Sequence, residues 1–278
     1  MGLPIKPGVI FGVVKELGKT DDRRPLLVAG VLADELAREL TAGGDPSAAR
    51  VGGSPDDRVT ALLLVIGDTV TEEDESILKR AHRARVPTIV VAAGATVPMR
   101  IPFVLATDVV RARPGSGFPV DAIAGAIAAK LGEDATPLAR RLPVLRPAVV
   151  GHLIDMFSRK NGLVAIAVFV PGADLPVLTV NQIRMVLRIC ACYGLAVDRE
   201  RAPEIIATIG TGLGLRTLAR ELLALIRTGG WAVKGAVAYA GTKAIGEAAV
   251  RYCEARVHGT TARTGHISPA ARGDRAAR

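Results

Sequence analysis

Apolar and polar positions alternate in blocks along the first half of the chain. PLLVAG (25–30), VTALLLVIGD (59–68), VPTIVVAAG (86–94) and FVLATDVVRA (103–112) are apolar runs of strand length. Between and after them stand LADELARELTAGG (32–44), TEEDESILKRAHRAR (71–85) and PVDAIAGAIAAKLGED (119–134), whose apolar residues recur at helical spacing. Strands that are apolar throughout suit a sheet covered on both faces. The helix at 71–85 is the best marked, with Thr71 as N-cap, Asp74 at the capping-box position, acids in the first turn and bases in the last. Four strand–helix steps over some 110 residues predict a parallel, helix-covered sheet. The Gly/Pro-rich segment 45–58 is expected to be loop, and VIFGVVKEL (9–17) a short apolar helix.

The second half reads as helix almost throughout. RRLPVLRPAVVGHLIDMFSRKNG (140–162) is a basic amphipathic stretch interrupted by two prolines, and LVAIAVFVPGADLPVLT (163–179) is an apolar run ended by a Pro-Gly turn. VNQIRMVLRICACYG (180–194) carries Arg184 and Arg188 on one side, with Asn181 and Gln182 assigned to a capping cluster at its start. Segments 203–230 and 231–256 form a helical hairpin around Gly229-Gly230. The fold class predicted is therefore an α/β domain over 1–136 and an all-α domain over 137–256, followed by a polar, disordered tail over 257–278.

Charge sharpens this division. Residues 1–136 hold 16 Lys/Arg against 18 Asp/Glu, 137–255 hold 15 against 8, and 256–278 hold 5 against 1. The excess of the +9 chain thus lies in the C-terminal half, which implies an acidic partner surface, either anionic lipid or nucleic acid. Arg140, Arg141, Arg146, Arg159 and Lys160 are the candidate contacts. Aromatic residues at 3% are poor material for stacking on bases, so no specific nucleic-acid partner is expected. Cys190, Cys192 and Cys253 make no disulfide framework and are expected as buried reduced thiols. The N-terminus lacks a secretory pattern, and a cytoplasmic location follows.

The candidate chemistry is thin. Gly18-Lys19-Thr20 ends like a phosphate-binding loop, but Gly12 and Gly18 are one residue too far apart, and DDRRP followed by a strand replaces the required helix. The place after the first core strand reads GVLADEL (30–36), with Asp34 and Glu35 where phosphate would sit. ALLLVIGDTVTEEDESILKRAHRARVPTIVVAAG (61–94) resembles the small GTPases from their third strand through the next helix and strand. The guanine-reading Asn-Lys-x-Asp is replaced by AAGA (92–95), leaving Asp68 as the remnant of a metal-associated region and a turn or cap residue. The expectation is a P-loop-GTPase-like α/β domain without the P-loop motif, with no catalytic residues, cofactor or metal. His82, His152, His258 and His266 have no Cys or carboxylate at ligand spacing.

GTGLG (210–214) has no preceding strand, so Gly210 and Gly214 are read as a small-residue packing pair. Ala232, Ala236, Ala240, Ala244 and Ala248 recur every four residues as a smooth stripe on the partner helix, with Thr242 placed off it. The hairpin is expected to pack through these residues and, through that packing, to support membrane association. No segment has about 18 uninterrupted apolar residues, which limits any insertion to the interface.

With the Asp-Leu-Pro of NGLVAIAVFVPGADLPVLTVNQIRMVLRICACYG, its Asn-Gln pair and the glycine-bearing GWAVKGAVAYAGTKAIGEAAVRYCE, residues 150–255 resemble the bacterial family called domain of unknown function 697. The resemblance implies a domain that often follows a GTPase-like domain and is linked to the bacterial inner membrane. The expected function is a non-catalytic, membrane-associated interaction or scaffold protein on the cytoplasmic face of the inner membrane, partnered by anionic lipid, another protein or its own copies. The alternatives are an active GTP hydrolase with an atypical loop and a soluble helical interaction module.

Overall fold

The computed structural model describes residues 7–19, 22–94, 96, 100–113, 115–167, 175–212 and 215–264, apart from the side chains of Pro7, Val9, Lys19, Leu175, 210–232 and 258–264. Five parallel strands, β1 (Leu26–Gly30), β2 (Ala49–Val51), β3 (Ala61–Ile66), β4 (Thr88–Ala92) and β5 (Val109–Arg111), lie in the order β2-β1-β3-β4-β5. α1 (Pro7–Lys19) precedes the sheet, and α2 (Ala33–Thr41), α3 (Glu72–Arg83) and α4 (Val120–Leu131) accompany it. The chain continues through α5 (Thr136–Arg141), α6 (Arg146–Ala167), α7 (Leu175–Cys192), α8 (Arg201–Gly212) and α9 (Leu215–Thr264).

The apolar strands divide their side chains by the two-residue period. Leu26, Val28, Leu63, Val65, Ile89 and Val91 face α2 and α4, while Leu27, Ala29, Leu62, Leu64, Ile66 and Val90 face α3. Both sets are buried, which is why the strands read as continuous apolar runs. α3 starts where its signals put it, since Thr71 Oγ1 accepts from Asp74 N at 3.1 Å and Thr71 N donates to Asp74 Oδ2 at 3.0 Å. β2 lies inside the segment expected as loop. Its three residues carry Arg50 at their centre and sit on the sheet edge, so burial left little apolar signature. Of FVLATDVVRA only Val109–Arg111 is strand, after a 3₁₀ turn at Ala106–Asp108.

The helical half does not form a core of its own. One apolar cluster runs from the sheet through α2 and α4 into Leu153 and Phe157 of α6, Met185 and Ile189 of α7, and Ala249 of α9. α1, although first in sequence, packs Ile10, Val13 and Val14 against Ile183 and Leu187 of α7 and Ala202 of α8. Arg184 meets Glu16 of α1 at 2.7 Å, and buried Arg188 meets Glu133, just after α4, at 2.6 Å. One face of α7 therefore ties both ends of the α/β half to the bundle. Gly12 and Gly18 lie within α1, ahead of β1.

Three expectations about the bundle are corrected. Asn181 and Gln182 lie inside α7 rather than at its cap, because the helix begins at Leu175. The tail is helical as far as Thr264, so 257–264 extend α9 instead of being disordered, and 265–278 lie outside the described residues. α9 runs as helix through Gly229-Gly230 without a break. A straight helix would set Leu215 about 61 Å from Arg256. Yet Arg256 lies 3.6 Å from Glu204, whose helix and short connection reach no more than about 25 Å from Leu215. α9 is therefore bent. Residues 235–246 run along α6, so the bend falls between 215 and 235, the stretch that holds the two glycines.

Candidate functional site

Two places in this architecture could serve a ligand or partner. The first is the carboxyl edge of the sheet between β1 and β3, where the winding direction reverses and doubly wound proteins bind their ligands. β1 ends at Gly30 with φ 90°, Val31 N donates to Val65 O at 3.0 Å, and Leu32 follows at φ 54°. Val31 and Leu32 are 48% and 56% exposed, and α2 opens with exposed Asp34 and Glu35. The helix N-terminus thus presents carboxylates and apolar side chains where phosphate binding needs donors. Asp68, after β3, accepts from Thr96 N at 3.1 Å and joins the loops that follow β3 and β4. That hydrogen bond gives Asp68 a local structural task. Among the described residues, no group of three His, Cys, Asp or Glu could hold a metal ion.

The second place is the end of the helical bundle remote from the sheet, where α6 finishes and α7 begins. Asn161 Nδ2 donates to Leu178 O at 3.4 Å, so the last turns of α6 lie level with the first turns of α7. Leu163 and Val177, 67% and 47% exposed, stand at this end, with exposed Arg159 and Lys160 one turn below Leu163. Arg159 pairs with Asp155 on its own helix, and Lys160 reaches over the Phe157 ring at 5.9 Å. Among the described residues of this end, exposed apolar and basic side chains occur together on the last turns of α6.

Beneath it lies a polar knot that the sequence reading missed. Buried Asn161 donates to Thr242 Oγ1 at 2.9 Å and accepts from Asn181 Nδ2 at 2.8 Å, while Gln182 Nε2 donates to Thr242 at 3.3 Å. Amides in the middle of apolar helices were the available signal, since a buried amide needs partners from neighbouring elements.

The close approach of helices is present, but on other residues than expected. Gly162 of α6 faces Gly235 of α9, where an added Cβ on Gly235 would lie 3.2 Å from Gly162 O and 2.5 Å from Ile166 Cγ1. Gly246 packs on Ile154 in the same way. The inward face of α9 is Gly235, Thr242, Gly246, Ala249 and Cys253, all buried. Ala236 and Ala240 are exposed, and Ala244 and Ala248 are half-buried. A four-residue repeat advances about 40° around the helix at each step, so the alanine stripe winds across the outer side instead of following the seam. The Ala232 side chain and Gly214 lie outside the described residues, as does any packing of Gly210, whose backbone lies in the last turn of α8.

The basic residues also separate. Arg141 donates to Asp45 Oδ2 at 2.9 Å, to Arg23 O at 2.8 Å and to Ser47 Oγ at 3.1 Å. Arg146 donates to Cys192 O at 2.9 Å and stacks on Tyr193. These two are internal struts, not surface contacts, because the loop after α2 and the end of α7 bring acceptors to them. Arg140, Arg159 and Lys160 remain exposed.

Asp45 is held by the Ser47 hydroxyl first, then by Arg141 and the Ser47 N–H, which lower its pKa from 3.8 to about 2. Its stabilising contribution is present above pH 3.8 and is lost as pH falls through 2. Asp45→Asn is therefore expected to flatten the pH dependence of the melting temperature between 3.8 and 2, read by thermal melts across that window.

Comparison with protein-family models, with curated proteins and with solved structures finds no match. The fold by itself defines the class as a doubly wound α/β sheet fused through a shared core to a helical bundle. Among the described residues, no helix is long and apolar enough to cross a membrane.

Proposed function

We propose that this chain is a non-catalytic interaction protein that docks on the cytoplasmic face of the bacterial inner membrane through the tip of its helical bundle. The observation that carries the reading is the pairing of exposed Leu163 and Val177 with Arg159 and Lys160 at the end of the bundle remote from the sheet. Apolar side chains entering the headgroup layer with cations at its edge are the elements of interfacial binding. The carboxylates and apolar side chains at the switch point support a silent α/β half.

The test is flotation of the full chain with vesicles of phosphatidylglycerol and, separately, of phosphatidylcholine. Recovery is expected with the anionic vesicles and should fall with salt. Leu163→Glu with Val177→Glu should cut binding at least tenfold, since burying each such side chain is worth about 1.5–3 kcal/mol. Arg159→Glu with Lys160→Glu should remove most of the salt-sensitive part, at about 1 kcal/mol per charge. Folded wild-type protein that stays with neither vesicle would overturn the membrane reading and leave a protein partner for the tip.

A further inference from the structure

The three cysteines do not share one environment. Cys190 on α7 and Cys253 on α9, 63 positions apart, meet with sulfurs 3.4 Å apart in the core at the sheet-proximal end of the bundle. Cys192 is also buried, near Thr136 and Arg146, and burial pushes its thiol up to about 12. Cys190 and Cys253 are thus the pair in contact, while Cys192 lies near enough to Cys253 to feel its charge.

We propose that Cys190 and Cys253 form an intramolecular disulfide when the protein meets an oxidant of the low-molecular-weight disulfide class, and that this bond locks α7 to α9. A disulfide needs its sulfurs at about 2.05 Å, so a small movement of each side chain closes the gap. Both thiols are fully buried, so the reagent reaches Cys253 only on a local opening of α9 near its neighbour Tyr252, which lines a cleft of about 320 Å³ with Leu195, Ile205 and Arg256. The Cys253 thiolate attacks the reagent disulfide, forming a mixed disulfide and releasing one reagent thiolate, which takes up a proton. Cys190 then loses its proton and attacks the Cys253 sulfur, expelling the second reagent thiol. Two protein sulfurs are oxidised and one reagent disulfide is reduced to two thiols.

The hydrogen bond to Cys190 and burial hold the Cys253 thiol well above its ordinary range. The first step is accordingly slow and speeds up with pH, whereas the second is fast because the partner thiol is already in place. The site therefore answers sustained oxidation rather than brief exposure. The bond encloses the bend of α9 within its loop and restricts the unfolded chain, which raises the melting temperature.

The experiment treats the full chain with oxidised glutathione at about pH 8, above which more thiol ionises. Thiols are counted in denaturant, disulfides are mapped by peptide mass, and melts are recorded before and after dithiothreitol. Of the three thiols two should disappear, in a Cys190–Cys253 peptide pair, with a reversible rise of several degrees in Tm. Cys192→Ser should behave as wild type. Cys190→Ser should instead trap glutathione on Cys253, and if that variant does not fold, the peptide map of Cys192→Ser decides. Three intact thiols after treatment that oxidises a small dithiol, or a bond that includes Cys192, would overturn the assignment.

Discussion

Gly30→Ala is expected to destabilise the protein by about 2–5 kcal/mol, combining a left-handed backbone penalty with overpacking. Gly30 ends β1 at φ 90°, and a Cβ there would lie 2.0 Å from Val65 O on the neighbouring strand. The obstruction is backbone at the middle of the sheet, which has no rotamer to yield. The bond from Val31 N to Val65 O at 3.0 Å would be displaced with it. Gly67→Ala is the control, because its Cβ would meet nothing within 4 Å. Denaturant melts should separate the two by several kcal/mol, and equal melts would mean that the turn after β1 relaxes freely.

The second large effect concerns α9. Thr242→Leu is expected to cost about 2–5 kcal/mol, because it removes the acceptor of Asn161 and Gln182 from a fully buried site and adds volume there. Ala240→Leu, two residues away on the exposed side, should change stability by no more than about 0.5 kcal/mol. This order is the reverse of what the alanine repeat predicts. Thr242→Val supplies a finer reading, since it keeps the shape and removes only the hydroxyl, and it should fall between the other two. A larger loss from Ala240→Leu than from Thr242→Leu would restore the alanine stripe as the seam.

Local signals that depend on near neighbours were legible in the chain. The strand runs at 26–30, 61–66 and 88–92 stood out because both of their faces are buried, and the start of α3 because Thr71 and Asp74 satisfy each other across three residues. β2 escaped because three residues on a sheet edge bury too little to leave a pattern. Val31 and Leu32, between the predicted strand and helix, carried no signal of their own until the sheet order set them at the switch point, exposed. The same holds for Leu163, whose exposure depends on where α6 ends and what α7 covers.

By itself, then, the sequence determined the class of each half, the parallel sheet, the helical second half and the placement of charge, since period, capping and composition act within a few residues. Which helix faces met was decided only by the tertiary structure. It put Thr242 with Asn161 and Asn181, set Gly235 against Gly162, brought Cys253 to Cys190 and turned Arg141 and Arg146 inward. The reason is geometric: a helix offers several apolar or small-residue stripes within 100° of one another, and the choice among them depends on neighbours supplied by segments far away in the chain.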